Sequence, residues 1–349
     1  MTTERTRVDA KKLTDFTAKA LQKVGVPEED ARITANILVA TDLRGIDSHG
    51  VGHLAAFYVR GIKEGRINPN PKIEVFSQAP ATAIIDGDLG LGFVVGYRAM
   101  MEAMRRAETT GAGFVAVRNS THYGAGGNYA MMALSHNMIG ISLTRGGRGM
   151  VAPGSRGRGI GINVISIAAP AKREAPFVLD MATTVVAAGK VEIALRTGMT
   201  MPEGWSVDRE GKPITDPKQH YDEQGALLPL GGIPRLGSFK GYGLAVAVDI
   251  LCSILSGSMI STQVPGNHFF GALRIDGFMP ADKFKGAIDG MIREIRALPK
   301  AAGVDRIYVA GEVEQEIEEE RRANGIPLHP NVVASLQELA KELDIEYDL

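Results

Sequence analysis

An α+β fold is what this sequence predicts, on three observations: helical periodicity over the first seventy or so residues, a central stretch of short β-rich runs parted by glycine-rich turns, and a return to helical periodicity after Pro280. At the start, Leu13, Phe16, Ala20, Leu21 and Val24 recur at three- and four-residue steps, which is the spacing of one helix face. Pro27 followed by Glu28, Glu29 and Asp30 marks a second helix, because those carboxylates suit the positive end of a helix dipole, and Gly45 should stop it. Val51, Leu54, Phe57, Tyr58 and Ile62 form the apolar stripe of a third, ended by Gly65.

From Pro69 the texture changes. The runs Ala83 to Ile85, Phe114 to Val117, Ile139 to Leu143, Val164 to Ala168 and Phe177 to Leu179 read as strands, with two or three helical patterns between them. Beyond Pro280 the chain carries one more β-like run, Arg306 to Val309, and a charged helix around Glu314 to Asn324. With 349 residues the chain exceeds one average domain of roughly 150. The simplest division joins 1–75 and 285–349 in a discontinuous helical domain beside a central α+β domain at 76–284.

Composition narrows the function classes. Basic and acidic side chains nearly cancel, 39 against 40, so no global field draws the molecule to nucleic acid or an anionic membrane, and an anion site must be local. The polar start, Met1 to Lys12, lacks the apolar core of a signal peptide, and no run reaches the roughly 18 apolar residues of a membrane span, so a cytoplasmic protein is expected. Cys252 is the only cysteine and sits in an apolar run, which excludes an internal disulfide and suits an inert buried thiol.

Several segments carry candidate chemistry. Gly90-Leu91-Gly92 through Gly96, after a β-like run ending at Asp86, superficially matches a dinucleotide fingerprint. The next strand ends in Arg118-Asn119 rather than an acidic ribose ligand, so a glycine turn that lets a helix pack closely is the better reading. In Arg44 to His53, Ser48 suits either a helix cap or a site hydroxyl, and His49 suits a catalytic or substrate-orienting role. His53 lies one helical turn on, a spacing that also serves zinc with Asp47 as a further ligand. His122, directly after a predicted strand, is placed to move a proton near neutral pH.

The glycine- and arginine-rich stretch from Arg145 to Gly161 offers backbone N–H groups and guanidinium donors to a phosphate or carboxylate, with Arg145 and Arg148 its foremost candidates. Its composition also resembles an RNA-binding tail, but it is hemmed between two β-like runs. Asp180, at a strand end, is placed to accept ribose hydroxyls, and Lys240, at the start of an apolar helix, to meet a phosphate.

Taken in order, Arg44-Gly-Ile-Asp-Ser-His-Gly-Val, Asn119-Ser-Thr-His, Phe177-Val-Leu-Asp-Met-Ala-Thr-Thr, Pro202-Glu-Gly-Trp-Ser-Val-Asp and Lys240-Gly-Tyr-Gly-Leu resemble the type 2 malate/L-lactate dehydrogenase family from about residue 10 to 340. That family includes ureidoglycolate, sulfolactate and diketogulonate oxidoreductases and cyclic imino acid reductases. The resemblance implies a non-Rossmann fold, a homodimer, and NAD or NADP as cofactor for a small acidic substrate. It implies His122 as proton donor or acceptor with Ser48 and His49 beside it, and Thr144, Gly146, Asp180, Met181, Ala182, Lys240, Gly311 and Glu312 as cofactor contacts. Two departures bear on the substrate. His53 stands where many members carry an arginine, and the Arg145 and Arg148 loop is more basic than usual, so an arginine of this loop is expected to take over anion recognition. Interconversion of a 2-hydroxy acid and its 2-oxo acid is the expected reaction, with cyclic imino acid reduction and zinc-dependent hydrolysis as alternatives and no resident metal expected.

Overall fold

The structure is a computed structural model that describes residues 5–258 and 266–349, without the side chain of Arg196. The chain opens with β1 (Thr6–Val8), α1 (Ala10–Lys23) and α2 (Glu28–Leu43), then passes through helical turns at Asp47–His49 and Val51–His53 into a π-helical stretch, Leu54–Val59, and α3 (Arg60–Lys63). There follow β2 (Glu74–Ala79), β3 (Thr82–Asp86), α4 (Gly92–Thr110), β4 (Ala112–Arg118), α5 (Gly127–Met132), β5 (Met138–Thr144), β6 (Arg148–Met150), β7 (Ile160–Gly161), β8 (Val164–Ala169) and β9 (Phe177–Ala182). Next come α6 (Ala188–Thr197), β10 (Ser206–Val207), β11 (Pro213–Ile214), α7 (Pro217–Asp222), β12 (Ala226–Leu227) and α8 (Ser238–Asp249). The chain ends with β13 (His268–Arg274), α9 (Ala281–Arg296), α10 (Glu312–Asn324), β14 (Ile326–Leu328) and α11 (Pro330–Leu343).

The two chain ends meet, as the simplest architecture has them do. β1 pairs antiparallel with β14, Val8 opposite Ile326, and one apolar core joins Leu13, Phe16, Leu21, Leu38 and Leu54 to Leu336 and Leu339. α1 starts where the Asp9 carboxylate accepts from the Lys12 N–H. α2 carries Glu28, Glu29 and Asp30 in its first turn, and the buried Asp30 pairs with Arg98 of α4 at 2.7 Å, tying the helical part to the rest.

The central part is a seven-stranded sheet in the order β2-β3-β4-β13-β5-β8-β9. Every neighbouring pair in it is antiparallel except β3 and β4, which are parallel and joined by α4. A single βαβ unit set in an antiparallel sheet is not a doubly wound dinucleotide fold, which agrees with the non-Rossmann expectation. Side chains alternate across the middle strands: Val115, Val117 and Phe270 join the core under α4, whereas Ala116 and Phe269 join one with Val248 and Cys252. Cys252 is fully buried there, its thiol pushed well above the ordinary range by desolvation. The glycine- and arginine-rich stretch contributes β6 and β7 to a second, five-stranded sheet, β11-β10-β12-β6-β7, which orders it near both ends.

Three sequence expectations change. Arg306 to Val309 forms no strand. The third helix is not a regular α-helix, because its stripe is carried by wide π turns that re-aim Phe57 and Tyr58. β13, unread in the sequence, is a central strand.

Candidate active site

A cavity of about 750 Å³ opens where the Arg44 to His49 turns face the loops after β4, β5 and β9, within the roughly 300–1,000 Å³ of ligand clefts. Its walls come from Arg44 to His49, His122 to Asn128, Thr144 to Arg148, Val178 to Ala182 and Tyr308 to Gly311. Among the described residues no helix is long and apolar enough to cross a membrane.

Three imidazoles cluster at one side of the cavity, His49 and His122 on the lining and His53 beside them. The ring of His122 lies 5.5 Å from that of His49 and 6.3 Å from that of His53, near-parallel to both. His122 Nδ1 is 2.8 Å from the phenolic oxygen of Tyr58, and His49 Nδ1 is 2.9 Å from Ser48 Oγ. Neither Nε2 has a protein partner among the described residues. Ser48 makes no helix-capping bond, so its hydroxyl serves His49.

The turn that carries Ser48 and His49 is held from below by Asp42. Its carboxylate accepts from the Val51 N–H at 2.8 Å, and a Cβ on Gly50 would lie 1.9 Å from Asp42 Oδ1, so only glycine lets the carboxylate in. Arg321 donates to the Asp42 carbonyl and to the Asp47 carboxylate. Asp47 is thereby engaged away from the imidazoles, and among the described residues no three His, Cys, Asp or Glu side chains gather in a metal-binding group. Asp47, the third ligand of the zinc reading, is committed to Arg321.

Of the residues singled out in the sequence, Ser48, His49, His122, Thr144, Arg145, Gly146, Arg148, Asp180, Met181, Ala182 and Gly311 line this one cavity. Three do not. His53 stands beside the other two rings but off the lining, and Lys240 is exposed on α8 with its ammonium 6.0 Å from the Phe239 ring. Glu312 is buried at the start of α10, where it accepts from the Val309 N–H and pairs with Arg296, a structural task that occupies its carboxylate.

Two of the lining residues differ from expectation in availability. Arg145 has a side chain only 7% exposed, with Nε 3.2 Å from Asp249 Oδ1, so its charge is already balanced. Asp180 accepts from the Ser166 hydroxyl and the Gly127 N–H, and burial holds its carboxyl above the ordinary range. Arg44 also reaches the cavity but pairs with Glu318 at 3.1 Å. Arg148 is exposed, and among the described residues it has no ion-pair partner.

Sequence reasoning missed Tyr58 and His268. His268 lines the cavity from β13, but both its nitrogens are engaged, Nδ1 with Thr144 Oγ1 at 2.7 Å and Nε2 with Ser120 Oγ at 3.1 Å, and its ring stacks on Tyr123 at 4.4 Å. The apolar run Phe269 to Leu273 was the signal for that strand.

Burial sets the charge of the cluster. It pushes His122 and His268 down to about 3 and His49 to about 4; neighbouring imidazoles add to the effect at His122 and His49. All three rings are therefore expected to stay neutral at pH 5 in an NMR titration of the ligand-free protein, a result that protonation of His122 near its usual pH of 6.5 would contradict. Because the unfolded chain takes up these protons first, each lowered histidine reduces stability as pH falls below 6.5, by at most about 1.4 kcal/mol per pH unit. Asp42, raised by burial to about 8, opposes the trend, since the folded state takes up its proton first.

The chain belongs to the malate/L-lactate dehydrogenase family, whose profile matches residues 8–337. It is 47% identical to a malate dehydrogenase of Pyrococcus horikoshii, over 97% of this chain and 96% of that protein, and 39% identical to an L-sulfolactate dehydrogenase of Methanocaldococcus jannaschii, over 94% of each. Among solved structures, malate dehydrogenase of Entamoeba histolytica superposes with a TM-score of 0.96 at 33% identity, over 99% of this chain and 100% of that one. The protein is thus an oxidoreductase of the hydroxy acid dehydrogenase family, and the family implies a nicotinamide cofactor.

Proposed function

We propose that this enzyme interconverts a small 2-hydroxy acid and its 2-oxo acid with NAD or NADP, that His122 is the proton donor or acceptor, and that a malate-like dicarboxylate is the favoured substrate. One juxtaposition carries the reading. A neutral imidazole stands on the wall of the cavity that Arg148 also lines, and among the described residues its second nitrogen has no partner and Arg148 no ion pair.

The cavity suits a nicotinamide dinucleotide. Gly147 lines it with open space where a side chain would stand, which leaves room for a ligand against the backbone, and Thr144, Gly146, Asp180, Met181, Ala182 and Gly311 would hold the remainder. When bound, such a cofactor supplies or removes a hydride at substrate C2. His122 gives a proton to, or takes one from, the oxygen on that carbon, while His49, backed by Ser48, orients the same group. Arg148 binds the far carboxylate, and the helical part formed by 1–75 and 285–349 closes over the α+β part at 76–284.

A homodimer fits the exposed apolar face of α8 and its continuation, where Phe239 is 62% exposed and Ile254 and Leu255 are over half exposed. Within one chain Lys240 and Glu312 lie off the lining of this cavity. An ordered Gly/Arg stretch and balanced charge give RNA binding no support.

A spectrophotometric screen of oxaloacetate, pyruvate and a cyclic imino acid with NADH and with NADPH tests the reaction. Oxaloacetate is expected to be reduced best. Arg148→Ala should raise KM for oxaloacetate about tenfold or more, the loss of a charged hydrogen bond, and leave KM for pyruvate unchanged. Equal effects on both acids would remove Arg148 from substrate selection.

A further inference from the structure

The geometry points to Tyr58 as a positioning residue that fixes the tautomer of His122: its phenol donates to Nδ1, so the resting imidazole carries its own proton on Nε2, the nitrogen left for the cavity. The inference rests on the reading of His122 as the proton carrier and names what sets its working form.

The argument is one of counting donors. Tyr58 is wholly buried, and among the described residues His122 Nδ1 is the one hydrogen-bond partner of its hydroxyl, at 2.8 Å. If the phenol donates, its proton and the Nδ1 lone pair satisfy each other. If Nδ1–H donated instead, the phenolic proton would be left without an acceptor in a buried site, which disfavours that tautomer by roughly tenfold or more. Desolvation raises the phenol well above its ordinary value, so the proton stays on oxygen.

Packing allows the ring little choice of position. Tyr58 meets Phe93 edge-on at 5.0 Å and Phe57 at 5.2 Å, and Phe57 also caps His122 edge-on at 5.5 Å. Phe57 and Tyr58 lie on the π-helical stretch Leu54–Val59, the kind of widened turn that recurs at functional sites. His268 shows the contrast, because its two engaged nitrogens leave none to reach a ligand.

Nitrogen-15 NMR of histidine-labelled protein without substrate reads the tautomer, with the His122 signals assigned by their loss in His122→Gln. In the wild-type protein Nδ1 is expected to be bare and Nε2 protonated. In Tyr58→Phe, which keeps the ring and removes only the hydroxyl, the two tautomers should become comparable. The share of His122 in its working form is then about halved, so oxaloacetate reduction should lose about twofold in kcat with KM unchanged. Protonated Nδ1 in the wild-type protein overturns the inference, and so does a Tyr58→Phe enzyme with unchanged tautomer and kcat. Should that variant fail to fold, the wild-type tautomer alone decides. A fully active His122→Gln enzyme would instead remove the reading of His122 itself.

Discussion

Replacing His122 by alanine is expected to lower kcat for 2-oxo acid reduction by about 100-fold or more while changing KM little. The imidazole is neutral and, among the described residues, its Nε2 has no protein partner, and its removal takes away proton transfer without touching Arg148 or the glycine-lined walls. Stability should change in the same experiment, because the ring is largely buried among His49, Tyr58 and Phe57 and its loss leaves a hole. A thermal melt recorded beside the kinetics separates the two effects. Turnover within threefold of wild type would move the proton chemistry to another group, and His49, with its own hydroxyl-backed nitrogen, is then the next to replace.

Local signals were legible in the sequence, and non-local ones were not. The helices at both ends follow from three- and four-residue periodicity, and α1 and α2 lie where Leu13 to Leu21 and Glu28 to Asp30 place them. Their pairing through β1 and β14 joins residues more than three hundred positions apart, and fold-level simplicity suggested it where periodicity could not. β13 escaped notice because its seven residues follow a long gap in recognisable pattern and run apolar on both faces, as a strand between two others must. The reverse error, a strand at Arg306 to Val309, came from β-branched and aromatic residues in a segment that packs as irregular loop.

In the site, motif positions place a residue near a cavity but say nothing of what it is already bonded to. Arg145 and Arg148 are equivalent on paper, and only the fold puts Asp249, about a hundred residues away, against the first of them. Glu312 looks free in sequence and is committed to Val309 and Arg296. Tyr58 was read as one member of an apolar stripe, which it is; that its hydroxyl meets His122 depends on a widened turn that no periodicity announces.

Gly92→Ala should be nearly as damaging as loss of His122, though it adds only one methyl group. The glycine opens α4, and its N–H donates to Thr121 Oγ1 at 3.0 Å while that hydroxyl donates to the Gly90 carbonyl. A Cβ at Gly92 would stand 2.3 Å from the Thr121 carbonyl oxygen and 2.4 Å from that of His122, backbone atoms that cannot rotate aside. The helix must retreat or the His122 loop must move. Retreat opens the packing of Phe93 and Val94 on the helical core and costs about 1–3 kcal/mol. Movement of the loop pulls His122 from Tyr58, and a displacement near 1 Å is enough to lower kcat by about 100-fold. Gly286→Ala, in α9 with open space at its Cβ, serves as control and should gain rather than lose stability, by about 0.5–1 kcal/mol. The glycine run that imitates a dinucleotide fingerprint thus has a different purpose: it brings a helix end against the backbone of the histidine loop. A Gly92→Ala enzyme with wild-type melting temperature and turnover would refute that account.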